Sequence, residues 1–185
     1  MNQHHQPARR RFLRMGAQSL LAVSAVAAPA LALAVTGDAR SLSLAHTHTS
    51  ERIALVYALG EQFVPQALSH LNHFLRDHYS GEIGLIDPLL FDLLHRVRQE
   101  LGVEQPFHVI SGYRSATTND TLRNTRGGGV ARHSLHMDGK AIDVRLPGVP
   151  LADLRDAALA LRRGGVGFYP KEQFVHVDTG RVRSW

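Results

Sequence analysis

The order of the elements along the sequence predicts an α+β fold that forms one small domain. Two helical patterns, with apolar residues at spacings of three and four, begin at Pro65 and at Asp87-Pro88. Short alternating stretches separated by glycine-rich loops dominate the chain after these helices, and such stretches are typical of strands. A length of 185 residues allows about one domain.

Each element has its own local signal. Alternating residues on both sides of a polar segment predict a hairpin within residues 38–60, added at an edge of the fold. A helix is predicted from 65 to about 79–81 and another from 88 to 102, because Pro suits the first turn and Asp87 suits a cap. Further strands are predicted at 107–110, 140–146 and 174–178, and further helices at 117–123 and 151–163.

The composition excludes several kinds of chemistry. The chain has no cysteine, so it has no disulfide framework, thiolate zinc finger, cysteine nucleophile or iron–sulfur cluster. Any metal ion must therefore be held by His, Asp or Glu. The glycine run at 127–129 lacks the lysine and hydroxyl residue of a phosphate-binding loop, so we expect a flexible loop beside the site there.

The net charge of +5 is concentrated at the start of the chain. Residues 1–34 carry four arginines and no acidic residue, which leaves 17 basic against 16 acidic groups in the remainder. A nearly neutral domain has no general attraction for phosphate backbones. We therefore expect no nucleic-acid partner.

The first 37 residues have the pattern of an export signal. The string Arg9-Arg10-Arg11-Phe12-Leu13 precedes an Ala/Leu-rich run that ends in alternating small residues. Paired arginines followed by Phe-Leu resemble a twin-arginine signal, which implies the twin-arginine translocase as a partner and the periplasm as the destination. The alternative is a membrane anchor, but polar residues interrupt the run, so we expect no stable membrane span in the mature form.

Two segments contain the candidate metal ligands. His136 and Asp143 flank a glycine turn and the start of a strand, and His176 and Asp178 share one face of the last predicted strand. If these strands are neighbours, two histidines and one carboxylate converge, a set that suits catalytic Zn²⁺ with a position left for water. Asp178, close to the metal, would then be the general base.

The string Ser134-x-His136-x-x-Gly139-x-Ala141-x-Asp143 resembles the signature of the LAS-type zinc peptidases. This group includes lysostaphin-type enzymes, D-Ala-D-Ala metallopeptidases and the hedgehog signalling domain. The segments at 111–115, 165–170, 174–180 and 182–185 are similar to those of its exported murein endopeptidase branch.

The resemblance implies a hedgehog/D,D-peptidase-like fold, with helices packed on a short antiparallel sheet over residues 38–185. His136, Asp143 and His176 would bind zinc, and a metal-bound water would hydrolyse peptide cross-links of peptidoglycan. Arg114 occupies the place of an arginine that holds a substrate carboxylate or carbonyl, and a planar guanidinium suits this role. The alternative for Arg114 is an ion pair that stabilises its loop.

One position departs from the wider group. Many members carry a catalytic Glu three residues before the last zinc-binding His, where this chain has Gln173. Because an amide cannot take up a proton, the base role falls to Asp178, with a ligand role as the alternative for this residue. Glu172 is expected to face away from His176 if the last strand extends that far.

Two other functions remain open at this point. A zinc D,D-carboxypeptidase would use the same metal site but requires a cleft that is blocked at one end. A non-catalytic, zinc-containing murein-binding module would follow the hedgehog precedent, and the Gln at 173 keeps this alternative open.

Overall fold

The computed structural model describes residues 38–125 and 130–185. The predicted signal peptide at 1–37 and the glycine run at 127–129 lie outside the described residues. Within them the chain forms four helices and one sheet of eight strands. The predicted α+β class is confirmed.

The secondary structure elements alternate along the chain. The strands are β1 (Ala39–His46), β2 (Arg52–Leu59), β3 (Gln62–Phe63), β4 (Phe107–Ser111), β5 (Ala141–Arg145), β6 (Gly165–Tyr169), β7 (Phe174–Asp178) and β8 (Arg183–Ser184). The helices are α1 (Pro65–Phe74), α2 (Pro88–Leu101), α3 (Ala116–Thr125) and α4 (Leu151–Leu161). None of these helices has the length and apolar character that crossing a membrane requires.

The sheet is mixed, with the strand order β3-β2-β1-β4-β5-β7-β6-β8. Most neighbours are antiparallel, whereas β1 with β4 and β6 with β8 are parallel. The sheet is thus larger than the short antiparallel one expected from the sequence. The chain makes a long helical crossover through α1 and α2 before β4, and a connection of this kind can return the next strand in the same direction.

The N-terminal hairpin is part of the main sheet. β1 and β2 pair antiparallel, and the other edge of β1 pairs with β4. Leu42 and Leu44 of β1 are buried in the core. The hairpin, extended by β3, therefore forms one end of the sheet and also contributes to the core.

Local capping sets the ends of the first two helices. The Asp87 carboxylate accepts a hydrogen bond from the Leu89 amide at 3.0 Å and caps α2, which ends at Gly102 in a left-handed conformation. α1 ends at Phe74, earlier than predicted. The Asp77 carboxylate accepts the amide of Tyr79, and this local bond stabilises a turn in place of another helical turn.

Strand alternation separates the core from the opposite face of the sheet. Ile142 and Val144 of β5 and Val175 and Val177 of β7 belong to the hydrophobic core. α2 packs against β1 and α4, and α4 packs against β6 and β7. Because successive side chains of a strand point to opposite faces, the intervening residues of β5 and β7 lie on the face away from this core.

A cluster of histidines lies where the β1–β2 hairpin meets the segment after α1. The rings of His48 and His78 stack with centroids 4.2 Å apart, and the His46 ring lies 5.5 Å from that of His78. His46 is only 3% exposed, and its Nδ1 accepts the His48 amide at 3.2 Å. Burial first, and then the neighbouring His78 and His48, lower the pKa of His46 to about 4.

Acidification should destabilise the protein through His46. Between pH 6.5 and about 4 the unfolded chain binds a proton on this imidazole that the folded chain excludes. The free energy of unfolding should therefore fall as the pH drops through this window, by up to about 3 kcal/mol. Denaturant unfolding of His46→Asn, which keeps an acceptor for the His48 amide, should show a smaller loss. His70→Gln, at an exposed position of α1, should behave as wild type. If the free energy of unfolding depends on pH equally in His46→Asn and His70→Gln, His46 is not the group responsible.

Candidate metal centre

Two paired strands place the carboxylate and one imidazole side by side. In the antiparallel β5–β7 pair, Asp143 lies directly opposite His176, and Ala141 lies opposite Asp178. Residues that face each other across such a pair have Cβ atoms about 5 Å apart. The Oδ1 of Asp143 accordingly lies 2.8 Å from the Nδ1 of His176.

A tight turn brings His136 to the same point. Gly139 has φ +65°, and a Cβ at this position would overlap the Leu85 carbonyl, so both the conformation and the close approach require glycine. The Nδ1 of His136 lies 2.7 Å from the carbonyl oxygen of Gly112, which directs Nε2 into the site. This Nε2 lies 3.2 Å from the His176 Nδ1 and 3.3 Å from the Asp143 Oδ1.

The three predicted ligands therefore form one buried group. Their donor atoms all lie within 4.8 Å of one another. Atoms bound to one tetrahedral zinc ion at 2.0–2.2 Å lie about 3.4 Å apart, so this group has the spacing that zinc requires. The ring nitrogen of His136 that faces away from the site is held by a backbone carbonyl, as is usual for metal-binding histidines.

Asp178 lies on the far side of the His176 ring. Its Oδ2 lies 3.1 Å from the Nε2 of His176, whereas the Nδ1 of that ring faces the ligand group. The Asp178 carboxylate also accepts the amides of Gly165 and Gly180 and both terminal nitrogens of Arg183. Asp178 is 0% exposed.

This position argues against the base role that we predicted for Asp178. A general base must reach the proton that it abstracts, and an imidazole ring separates Asp178 from the ligand group. Burial alone would raise the pKa of Asp178, but hydrogen bonds from His176 and Arg183 outweigh burial and keep this pKa well below its usual range. The ligand alternative is disfavoured by the same separation.

Arg114 lies at the edge of the ligand group. Its Nη2 is 3.9 Å from the Oδ2 of Asp143 and donates to the Ser111 hydroxyl at 3.4 Å. The loop is anchored by buried Asp77, which accepts both the amide and the hydroxyl of Ser115. Arg114 is thus close enough to the ligand group to contact a molecule bound there, and its guanidinium is also oriented by local contacts.

A cleft of about 440 Å³ opens over the ligand group. Besides the three ligands it is lined by Arg114, Val130, Ala131, His133, Ser134, Leu135, Tyr169, Glu172, Phe174, Arg183 and Trp185. The expectation that Glu172 faces away required the strand to extend to this residue, and it does not. β7 begins only at Phe174, and Gln173 has φ +60°, so the strand alternation used for that expectation does not extend to Glu172.

Trp185 is a site residue that the sequence reasoning missed. β8 runs parallel to β6, and the Trp185 carbonyl accepts the amide of Phe168 at 3.0 Å. Its indole then lies 5.2 Å from the His176 ring, centroid to centroid. The C-terminal string at 182–185 contributed to the family resemblance but contained no ligand pattern, so it indicated no role for Trp185.

Comparisons with known proteins agree with one another. The family model described as "Peptidoglycan L,D-endopeptidase MepK" matches residues 34–185. The chain is 44% identical over 177 residues to the peptidoglycan L,D-endopeptidase MepK of Escherichia coli (strain K12), and the match covers 96% of each chain. It is 39% identical over 178 residues to the probable peptidoglycan L,D-endopeptidase MepK of Haemophilus influenzae, covering 96% of this chain and 95% of that relative.

Zinc binding near neutral pH should release about one proton from His176. Burial alone would lower the pKa of His176, but hydrogen bonds to Asp143 and Asp178 outweigh burial and raise it to about 9 in the metal-free chain. A metal ligand must be unprotonated, so a Zn²⁺ ion that binds at His176 would displace this proton. Calorimetric titration at pH 7 in buffers of different ionisation enthalpy measures the release. His70→Gln should match wild type, and a binding enthalpy independent of the buffer would contradict the assignment.

Proposed function

The chain belongs to the family of the peptidoglycan L,D-endopeptidase MepK, and from this membership we propose how its site works. The predicted resemblance to the LAS-type murein endopeptidases is confirmed by the family match and by the relatives. The protein is a peptidase that hydrolyses peptide cross-links of peptidoglycan. The observation that carries this conclusion is the buried group of His136, Asp143 and His176 at the floor of an open cleft.

Zinc is the proposed cofactor, held by His136, Asp143 and His176. Two neutral imidazoles and one carboxylate are three of the four ligands of a catalytic zinc site. Bound zinc would lower the pKa of a water molecule and polarise the scissile carbonyl, which permits amide hydrolysis without a protein nucleophile.

Asp178 is proposed as a positioning residue that acts through His176. Its contact with Nε2 holds the ring so that Nδ1 faces Asp143. A carboxylate in this place orients the imidazole and raises its basicity toward a metal. Arg183 compensates the buried charge of Asp178 with two hydrogen bonds, of 2.7 and 3.1 Å, and belongs to the same arrangement.

Arg114 is proposed to bind the substrate. Peptides of peptidoglycan carry free carboxylates, and a guanidinium can bind a carboxylate through two parallel hydrogen bonds. A carboxylate bound by Arg114, whose Nη2 lies 3.9 Å from the Oδ2 of Asp143, would lie beside the proposed metal ligands. The names of the relatives point to an L,D bond as the scissile bond.

Export by the twin-arginine pathway to the periplasm is a further part of the proposal. It rests on the paired arginines of residues 1–37 and on a substrate that lies outside the cytoplasm. The double change Arg9→Lys and Arg10→Lys should leave uncleaved precursor in the cytoplasm, measured by fractionation and mass spectrometry. Normal export of this variant would contradict the pathway, whereas Arg14→Lys serves as the control.

Purified protein should convert cross-linked muropeptide dimers to monomers in a zinc-dependent reaction. A chelator should abolish the conversion and added zinc should restore it, with mass spectrometry of the products identifying the bond. Removal of only a terminal alanine would indicate the carboxypeptidase instead. Zinc-loaded protein that yields no product would indicate the binding module.

The same digest tests the role of Arg114. Arg114→Gln removes the charge that binds the substrate carboxylate, so KM should rise while zinc content stays unchanged. Arg132→Gln, at an exposed position, is the matched control. An unchanged KM for Arg114→Gln would leave the loop ion pair as its role.

Asp178→Asn should weaken zinc binding by about 10- to 100-fold, because the orienting contact to His176 loses its charge. Activity should then recover in part when zinc is raised to saturation. The dissociation constant for zinc and kcat at saturating zinc separate this outcome from a base role, which predicts normal zinc binding and no turnover. Asp153→Asn, on the exposed side of α4, is the control, and circular dichroism verifies folding.

A further inference from the structure

Three aromatic rings form a continuous wall that leads away from the metal centre. Trp185 lies 5.2 Å from His176, its indole nitrogen donates to the Tyr169 hydroxyl at 2.7 Å, and the Tyr169 ring stacks on Phe174 at 4.6 Å. All three line the cleft. We call Trp185, Tyr169 and Phe174 the aromatic shelf.

The inner end of the shelf is held firmly although it is exposed to solvent. Trp185 is 50% exposed, yet its backbone bonds to Val166 and Phe168 of β6, and the Arg183 guanidinium lies 4.8 Å from its ring. A Cβ at Gly167 would overlap the indole, so the glycine makes room for it. A large apolar side chain that is fixed in place and left half-open on a cleft wall is suited to contact a ligand.

The outer end of the shelf carries a negative charge. Tyr169 and Phe174 pair across the ends of β6 and β7, and Glu172 lies in the short turn that joins them. Glu172 is exposed and lines the same cleft. Arg114, beside Asp143, supplies a positive charge next to the metal ligands. The cleft thus has two arginines at its centre, Arg114 and Arg183, of which Arg183 is paired with Asp178, and an apolar wall that ends in an anion.

We propose that the aromatic shelf and Glu172 form a specificity subsite for an aliphatic side chain that ends in an ammonium group. This inference rests on the proposed function, and the residue that fits is a diamino acid beside the scissile bond of the peptide. Its methylene groups lie on the aromatic faces, where burial of apolar surface is favourable. Its ammonium is attracted both by the ring faces and by the Glu172 carboxylate.

Two cross-linked muropeptide dimers test the subsite. They differ only in the free amine of the diamino acid, which is N,N-dimethylated in one, keeping the charge, and N-acetylated in the other, removing it. Wild type should cleave the dimethylated dimer with about fivefold higher kcat/KM, the effect that about 1 kcal/mol of charge pairing produces. The difference should lie in KM, because the amine takes no part in the reaction.

Glu172→Gln should bring the ratio of kcat/KM for the dimethylated and acetylated dimers close to one. It should leave kcat on the acetylated dimer unchanged. Glu104→Gln is the matched control, since its side chain is 94% exposed and lies outside the cleft lining, and it should keep the wild-type preference. Trp185→Leu should raise KM for both dimers, and Trp185→Phe should retain part of the binding. Metal content and circular dichroism identify variants that fail to fold.

The outcomes separate the subsite from the proposed function. If wild type cleaves neither of these dimers nor the unmodified dimer, the proposed function fails. If it cleaves both equally well and Glu172→Gln leaves their ratio unchanged, the subsite is overturned while the endopeptidase stands. A loss of kcat of about 100-fold on both dimers in Glu172→Gln would also overturn the subsite, since such a loss indicates proton transfer rather than recognition.

Discussion

The register between β5 and β7 is the constraint on which the metal centre depends. It sets Asp143 opposite His176 and Ala141 opposite Asp178. A shift of either strand by one residue would turn its valines to the cleft and its polar residues into the core. The buried valines of both strands oppose such a shift, because exposing them would cost burial free energy. The hydrophobic core and the metal centre are therefore specified by the same pairing, seen from opposite faces of the sheet.

Much of this centre could be predicted from local patterns. Alternation in two short strands and the glycine after His136 indicated that two histidines and a carboxylate would converge, and the family resemblance implied His136, Asp143 and His176 as the ligands. The structure brings these three residues together. The caps at Asp87 and Gly102 likewise set the bounds of α2. Such signals depend only on residues that are near in sequence or on one face of a strand, and these can be read without knowledge of the tertiary fold.

The roles around the centre depend on contacts that no local pattern shows. Which nitrogen of His176 faces the ligands is decided by the position of Asp178. That carboxylate is fixed by the amide of Gly165 at the start of β6, by the amide of Gly180 after β7, and by Arg183. β6 contains two glycines, which weaken a strand pattern, so the strand that supports Trp185 was not predicted. The direction of Glu172 could not be inferred from alternation, because β7 begins only at Phe174. For Asp178 and Trp185 the missing information was the packing of segments that are distant in the sequence.

The contact between Gly167 and Trp185 also bears on how related sequences can diverge. The indole occupies the space that any side chain at position 167 would need. A side chain at position 167 is therefore costly while Trp185 is present, whereas a smaller residue at 185 would remove the need for glycine at 167. The two positions, 18 residues apart in the sequence, should therefore vary together among related sequences. Relatives that lack the tryptophan are the ones that can carry a side chain at position 167.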